Sequence, residues 1–305
     1  MIFFKPFESF KLFISKYQLK FKNSQKAGLN GCLLLFDFGS GLRGYSDFLP
    51  WPLYGEKTLE EQLKDIQAGK FSRRFLIAKQ QAFIDAKARR EKRNLFFSLK
   101  IPSSHFLIEN LLEFKFSKNI LAFQIIKVKL KPYKILEQIK ILKELSQLLK
   151  KVKWRFDLNQ NGWQEWESSL SFLKDRIDFI EDPKKPIDSA FLAEDWSVFP
   201  SARIKIIKSS RDSFKALVRQ WPRWKRVIFT HSFDHPLGQA SSAFWAGLFY
   251  KYYPRFFETG AFLNFQLETV KGYEVKSKGD SFTAPIGFGF GFTRALKNEN
   301  WKQWL

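Results

Sequence analysis

The sequence is poor in the residues that build disulfides and zinc sites. Among 305 residues it has one cysteine, Cys32, and three histidines. A single cysteine cannot form an intramolecular disulfide, and its isolation is typical of a reducing compartment. His231 and His235 are four residues apart, but the nearby proline and glycine predict a loop, so we do not expect a zinc site. His105 stands alone, and we interpret it as structural.

Long uncharged apolar runs are also absent. A helix that spans a bilayer needs roughly 18 to 20 consecutive apolar residues, and no stretch of the sequence approaches that length. The first fourteen residues are apolar but are interrupted by Lys5, Glu8 and Lys11, so we do not expect a signal peptide. We therefore predict a soluble, cytoplasmic protein with no membrane partner.

Acidic residues are scarce relative to basic ones. The chain has 52 Lys and Arg against 30 Asp and Glu, a net charge of +22. Such a charge could bind nucleic acid by releasing counterions, or could attract a small dicarboxylate substrate. The lysines are spread along the whole chain, so we expect no nucleic-acid partner. The alternative that is not an enzyme is a basic nucleic-acid-binding protein with a degenerate barrel fold.

Apolar residues, in contrast, are plentiful: they make up 45% of the chain, and 36 residues are phenylalanine. A chain of this length and composition folds around a sizeable core. Phe10–Phe21 and Gly31–Phe38 have strand character, Thr58–Glu61 has the spacing of a capping box, and a helical pattern covers Ser72–Arg93. We therefore predict a small α+β domain over residues 1–95.

From Asn94 onward, strand-like and helical patterns alternate, which predicts βα units around a parallel sheet. The predicted strands are Phe96–Ile101, Phe123–Leu130, Val152–Leu158, Ile177–Glu181, Phe191–Asp195, Arg203–Lys208 and Arg226–Thr230. The predicted helices are Tyr133–Lys150, Trp163–Lys174, Asp212–Gln220 and Gly238–Tyr252. Seven units favour a TIM-like α/β barrel over an open sheet, although periodicity alone does not separate the two. We place the barrel at 96–268 and expect a Gly-rich segment, 269–305, to return to the first domain.

Charged or polar residues close successive predicted strands. They are Lys127 and Lys129, then Arg155, Asp157 and Asn159, then Glu181, Asp195 and Lys208. The interior of a parallel barrel is apolar, so such residues are expected at the carboxyl ends of the strands, where active sites lie. Residues two apart on a strand share a face. If these faces point inward, one cavity holds three carboxylates with lysines on both sides.

Three carboxylates in one dry pocket require a cation to neutralise them. Carboxylate oxygens are hard ligands, which favours Mg²⁺, with Mn²⁺ possible. Lysines beside such a cation, and beside each other, are expected to have depressed pKa values, as a general base needs. Ordinary surface ion pairs would explain any one of these residues, but the ordered set favours a site that removes a proton next to a carboxylate.

These residues resemble the motifs of the enolase superfamily, in particular the o-succinylbenzoate synthases of its muconate-lactonising subgroup. The matching segments are Lys127-x-Lys129, Arg155-x-Asp157-x-Asn159, Glu181-Asp-Pro183, Ile206-Ile-Lys208, Ser232-Phe-Asp234-His-Pro-Leu-Gly238, Gly44 to Pro52 with Gly55-Glu56, and Pro285 to Gly291. They cover nearly the whole chain in the family's order. The resemblance implies an enolase-like, modified TIM barrel with trimmed helices, and makes the first domain its α+β capping domain.

The resemblance also implies roles for individual residues. Asp157, Glu181 and Asp195 would bind Mg²⁺; Lys129 would remove the α-proton, with Lys127 positioning the carboxylate. Lys208 would stabilise the enolate from the opposite face of the substrate. Implied substrate contacts are Trp51, Arg155, Asn159, Ser232 and Asp234.

The implied reaction is syn dehydration of 2-succinyl-6-hydroxy-2,4-cyclohexadiene-1-carboxylate to o-succinylbenzoate, a step towards menaquinone, which makes the expected partner a small carboxylate substrate. N-acylamino acid racemases and dipeptide epimerases of the same superfamily also use two opposed lysines, and they remain alternatives. The oligomeric state, monomer or dimer, stays open.

The spacing departs from the family pattern after Glu181. Asp195 follows it by 14 residues and Lys208 follows Asp195 by 13, which leaves little room for the intervening helices. We therefore expect the barrel to be trimmed there. Glu194 lies next to Asp195 and would serve the same chemistry, so the third metal ligand stays open between them.

Overall fold

The structure is a computed structural model that describes residues 9–22, 28–188, 190–195, 199–212, 223–256, 259–263 and 267–305. In these residues the strands β1 to β15 are Lys11–Leu19, Leu29–Asp37, Arg43–Phe48, Ser103–Ser104, Phe106–Ile108, Ile125–Lys129, Lys153–Asp157, Ile177–Glu181, Leu192–Glu194, Ile204–Lys208, Arg226–Thr230, Thr259–Ala261, Ser277–Lys278, Ser281–Phe282 and Lys302–Gln303. The α-helices α1 to α6 are Leu59–Gln67, Arg73–Arg90, Ile135–Leu148, Gln164–Glu167, Pro236–Tyr252 and Thr293–Lys297. Short 3-10 helices cover Pro52–Tyr54, Leu111–Glu113, Lys118–Ala122 and Ser171–Arg176.

The N-terminal domain is an antiparallel sheet in the order β15-β1-β2-β3, with α1 and α2 packed on it. The predicted capping box is confirmed: Thr58 Oγ1 accepts from the Glu61 amide, and the Glu61 carboxylate accepts from the Thr58 amide at 2.8 Å. This pairing satisfies backbone donors that the first turn of a helix leaves free. The edge strand β15 comes from the end of the chain and pairs with β1.

Gly44 in β3 allows the sheet to lie directly against α2. A β-carbon at this position would overlap the carbonyl oxygen of Ala82 and lie 2.6 Å from the amide nitrogen of Ala86. Both neighbours are helix backbone, so neither can move aside. We expect Gly44→Ala to lower the free energy of unfolding by about 2 kcal/mol, measured by denaturant titration. Gly162→Ala is the control, because a β-carbon there meets nothing closer than 3.6 Å; equal stability of the two variants would contradict this account.

The second sheet is a nearly closed parallel barrel in the order β4-β12-β11-β10-β9-β8-β7-β6-β5. β4 and β5 are consecutive in sequence, separated only by His105; β4 pairs with β12 and β5 pairs with β6. Together they form one position in the ring. Within the described residues this gives eight positions, which we number 1 to 8, from β4 with β5 through β6 to β12. The predicted barrel with a separate N-terminal domain is confirmed.

One predicted strand, Phe96–Ile101, is wrong. These residues form consecutive turns: the Phe96 amide donates to Asn94 Oδ1 at 2.8 Å, the Leu99 amide donates to the Phe96 carbonyl at 3.0 Å, and Ser98 has a φ of 63°. The first barrel position instead begins at Ser103. This position was not predicted because its first residues are polar, and a strand is recognised from sequence by its apolar residues.

The trimming of the barrel is confirmed. Between β8 and β9, and between β9 and β10, the described residues contain no helix. The predicted helix over Trp163–Lys174 is divided into the short α4 and a 3-10 helix. Of the predicted helix at Asp212–Gln220, all but Asp212 lies outside the described residues. No helix in the described part of the chain is both long and apolar enough to cross a membrane.

Candidate active site

A cavity opens at the carboxyl ends of the barrel strands and is covered by Trp51 and Tyr54 of the N-terminal domain. Most residues singled out in the sequence line it: Trp51, Lys127, Lys129, Asp157, Asn159, Glu181, Asp195, Lys208 and Ser232. They come from separate barrel positions and meet because the parallel strands all end at the same rim. The structure therefore brings together the lysines and the acidic residues that the sequence proposed as one site.

Lys127 is the centre of the acidic cluster. Its Nζ lies 2.9 Å from Asp157 Oδ2 and 2.7 Å from Glu181 Oε2. Burial opposes the charge of Lys127, but the two carboxylates outweigh burial and raise its pKa. The Lys127 ammonium in turn holds the pKa of Asp157 below its usual value, against the effect of burial. Lys127 is thus a fixed cation that lies between two carboxylates.

Lys129 is held by a carboxylate that the sequence analysis missed. Its Nζ lies 2.9 Å from Glu109 Oε2 and 5.3 Å from the centre of the Phe233 ring. Burial opposes its charge, yet Glu109 and then Asp157 raise its pKa. In this structure the pKa of Lys127 and that of Lys129 lie above their usual value, because carboxylates face both ammonium groups.

Lys208 behaves differently. Burial, followed by the nearby Arg211 guanidinium, lowers its pKa to about 7, although it also bonds to the carboxylate of Asp195. Its pKa is therefore shifted in the opposite direction from those of Lys127 and Lys129. Lys208 ends the strand at position 6 and Lys129 ends the strand at position 2, so the two amines lie on opposite sides of the ring.

The two candidates for the third metal ligand point in different directions. Glu194 faces away from the cavity: its carboxylate accepts from Arg223 Nη2 at 2.9 Å and from Trp224 Nε1 at 3.1 Å. Asp195 lines the cavity and bonds to Lys208 and, at 2.7 Å, to Arg211 Nη2. This placement favours Asp195 as the residue that can reach a ligand in the cavity.

The donor atoms of the acidic side chains are of the kind that a hard divalent cation prefers. Asp157, Glu181 and Asp195 offer only oxygen donors, and all three are buried at the same rim. In the described ranges, no three His, Cys, Asp or Glu side chains stand close enough together to enclose an ion. The oxygens of these three carboxylates instead bind the ammonium groups of Lys127 and Lys208. The donor set therefore fits Mg²⁺ or Mn²⁺, and the two lysines would compete with the ion for these oxygens.

Two residues named as substrate contacts do not reach the cavity, so these two assignments are corrected. Arg155 has no exposed surface and lies beneath the cavity floor, where it pairs with Asp178 at 2.7 Å. Asp234 is also fully buried and accepts from the Ser232 amide at 3.2 Å and from Ser210 Oγ at 3.3 Å. It shapes the loop after β11 rather than touching a substrate.

Asp178 joins two arginines inside the barrel. It lies 2.7 Å from Arg155 Nε and 2.8 Å from Arg226 Nη1. Removing its charge leaves the fully buried Arg155 without its main counter-charge. We expect Asp178→Asn to lower the free energy of unfolding by about 3 kcal/mol, measured by denaturant titration. Asp175→Asn, at an exposed position of the same segment, is the control and should change stability little.

The same pair predicts a dependence on pH. Burial opposes ionisation of Asp178, but Arg155 and Arg226 outweigh it and lower the pKa to about 2. The stabilisation is therefore complete above the unfolded value of about 3.9 and is lost as the pH falls through about 2. The stability gap between the wild type and Asp178→Asn should therefore narrow as the pH falls from about 4 towards about 2. A gap that does not change with pH would contradict the ion pair.

Comparisons with known proteins agree with this geometry. Residues 12–88 match the family model described as "O-succinylbenzoate synthase, N-terminal domain". An o-succinylbenzoate synthase of Bdellovibrio bacteriovorus is 25% identical over 329 aligned positions, which cover 96% of this chain and 98% of that protein. The chain is similar to o-succinylbenzoate synthases, and this similarity supports an enzyme of the lyase class, a dehydratase.

Solved structures share the fold of this chain at low sequence identity. A mandelate racemase/muconate lactonizing enzyme from Roseiflexus sp. has a TM-score of 0.69 at 14% identity and covers 92% of this chain and 96% of its own. The L-Ala-D/L-Glu epimerase from Bacillus subtilis has a TM-score of 0.68 at 16% identity, with 92% and 97% covered. Both similarities extend over the N-terminal domain and the barrel together.

Proposed function

We propose that this enzyme is an o-succinylbenzoate synthase that dehydrates 2-succinyl-6-hydroxy-2,4-cyclohexadiene-1-carboxylate in a Mg²⁺-dependent reaction of menaquinone biosynthesis. The observation that carries the proposal is the pair of partly buried lysines, Lys129 and Lys208, on opposite sides of one cavity whose rim holds three carboxylates. Similarity to an o-succinylbenzoate synthase along 96% of the chain supports the choice of reaction.

In the proposed reaction Lys129 acts on one face of the substrate. Its amine takes the proton from the carbon next to the ring carboxylate, and the resulting ammonium returns that proton to the departing hydroxyl group. Because one residue removes the proton and protonates the leaving group, both events occur on the same face, and water is released. Glu109, which favours the charged form of Lys129, must weaken its hold before the amine can act.

Other residues stabilise the negative charge that develops. Lys208, on the far side, would place an ammonium opposite the substrate carboxylate, where charge builds up as the proton leaves. Asp157, Glu181 and Asp195 would hold Mg²⁺, which would supply further positive charge at that carboxylate. Trp51 and Tyr54 cover the cavity from the N-terminal domain and would reduce the access of water.

A second candidate is racemisation or epimerisation of an N-acylamino acid or a dipeptide. The observation that favours it is the placement of Lys208 across the cavity from Lys129, and burial lowers the pKa of Lys208 to about 7, in the direction that a second base requires. Two opposed bases are what an inversion at an α-carbon requires. The fold shared with the Bacillus subtilis epimerase is compatible with this alternative.

One experiment separates the two functions. Purified protein is assayed with and without Mg²⁺ for formation of o-succinylbenzoate, beside a panel of dipeptides and N-acylamino acids followed by α-proton exchange in D₂O. We expect metal-dependent dehydration with little or no exchange in the panel. Exchange of a dipeptide α-proton without dehydration would support the epimerase, and failure of both reactions would overturn the assignment of the site.

The proposal includes a small carboxylate as the partner, a cytoplasmic location and no nucleic-acid ligand. The net charge of +22 would then act by attracting the anionic substrate, so the value of kcat/KM should fall as the salt concentration rises. Retention of nucleic acid through purification, together with no turnover in the assay above, would favour the basic binding protein instead.

A further inference from the structure

The side of the cavity away from the carboxylates has a different character. The carboxylates come from positions 3 to 5, whereas positions 7, 8 and 1 form the opposite wall. This wall contains the apolar side chains of Leu107, Ala261 and Leu263, and its polar groups are those of His105, Thr230, His231 and Ser232. A substrate whose ring carboxylate is held at this rim by the lysines and a metal ion would place its remaining atoms against this wall.

Contact with Arg155 determines the protonation of His105. Arg155 Nη1 lies 3.0 Å from His105 Nδ1, and a guanidinium group can only donate. His105 Nδ1 must therefore accept, which leaves the ring proton of the neutral imidazole on Nε2. Arg155 is itself held by Asp178 at 2.7 Å. Because Nδ1 accepts a hydrogen bond from Arg155 below the cavity floor, Nε2–H is the group that His105 can present to the cavity.

The surroundings keep His105 uncharged. Its side chain is buried, and burial, followed by the charges of Arg155 and Lys127, lowers its pKa well below the ordinary value. A second polar atom on this wall, Thr230 Oγ1, is buried and makes no hydrogen bond to any residue in the described ranges. Buried polar atoms without partners are costly, so this wall suits a ligand that carries a neutral polar group.

We propose that His105 donates a hydrogen bond from Nε2 to the ketone oxygen of the substrate's succinyl side chain. This inference rests on the proposed dehydratase function. The lysines at positions 2 and 6 select carboxylates, whereas a neutral donor at position 1 selects an uncharged oxygen. Charged lysines on one side and a neutral donor on the other allow the substrate to bind in only one orientation. A cation at position 1 would instead attract a carboxylate there and favour the reversed orientation. His105 is then a specificity-determining residue held by Arg155.

Calorimetric binding of two ligands tests the proposed contact. The ligands are o-succinylbenzoate and 2-(3-carboxypropyl)benzoate, in which a methylene replaces the ketone, both in the presence of Mg²⁺. We expect His105→Phe to weaken o-succinylbenzoate binding about tenfold and to leave the methylene ligand within about twofold. His105→Gln, whose amide nitrogen reaches the position of Nε2, should restore most of the loss. Equal losses for both ligands, or a Gln variant as weak as Phe, would overturn the proposal.

Nitrogen-15 NMR tests the tautomer without any turnover. The chain has three histidines, so the signals of His105 can be assigned by their loss in His105→Phe. We expect a neutral ring with its proton on Nε2; a proton on Nδ1 or a charged ring would refute the inference. If the wild type fails to form o-succinylbenzoate, the proposed function is wrong, and the NMR result still decides the arrangement at Arg155. If the wild type is active and the variant binds both ligands normally, the inference alone is wrong.

Discussion

Replacing Lys129 by alanine should lower kcat/KM for dehydration by about a thousandfold and abolish exchange of the substrate α-proton. The reason is that Lys129 is the only proposed proton acceptor on its face of the substrate, and general-base catalysis is lost with the amine. The measurement is turnover of the cyclohexadiene carboxylate, with exchange followed by NMR in D₂O. The exposed Lys140→Ala is the matched control and should retain activity.

A second variant separates the base from the charge. Lys129→Arg keeps a cation beside Glu109, which lies 2.9 Å from the native ammonium, but a guanidinium group does not give up its proton near neutral pH. We expect this variant to unfold at nearly the wild-type denaturant concentration and to be as inactive as the alanine variant. Substantial activity in Lys129→Arg would show that only the positive charge matters, and the assignment of Lys129 as base would be wrong.

Asp157→Asn should weaken Mg²⁺ binding by more than about 100-fold and lower kcat/KM by a similar factor or more, without unfolding the chain. The loss follows from removing one of three charged oxygen donors. The fold should survive because Lys127 keeps its contact with Glu181 at 2.7 Å. Calorimetric titration with Mg²⁺ measures the first effect and the dehydration assay the second.

The control for this variant is Asp175→Asn, which removes the same charge at an exposed position. It should bind Mg²⁺ as the wild type does. Turnover like that of the wild type in Asp157→Asn would remove Asp157 from the metal site. Loss of structure, judged by circular dichroism, would instead show that its ion pair with Lys127, at 2.9 Å, is needed for folding.

Apolar periodicity in the sequence predicted much of the barrel. Ile177–Glu181 and Arg226–Thr230 have the same bounds in the structure as in the prediction. Each segment has three apolar residues among five, IDFIE and RVIFT, and the length expected for a buried parallel strand. Position 1 of the barrel was not predicted, because it begins with the polar residues Ser-Ser-His. Glu109 was therefore missed as well. It directly follows the last residue of its strand, whereas Asp157 and Glu181 are the last residues of theirs.

The depth of a side chain in the barrel could not be predicted from alternation. Arg155 and Asp157 share a face, as expected, but two residues along a strand correspond to about 6.6 Å, so Arg155 lies a layer below the cavity. Lys127 is paired with Arg155 in the strand register, yet its ammonium contacts the carboxylates at the rim. Which of the two residues would reach the rim depends on side-chain partners from distant strands, which a local pattern does not contain.

The first barrel position joins the two ends of the sheet, because β4 pairs with β12 and β5 pairs with β6. The ring is sealed by the pairing of Ser103 with Thr259, residues separated by more than half of the chain. Forming so distant a contact carries a large entropic cost and gains nothing until the intervening strands are in place. Sealing should therefore be a late event in refolding, and the partly assembled sheet would expose two open edges until it occurs.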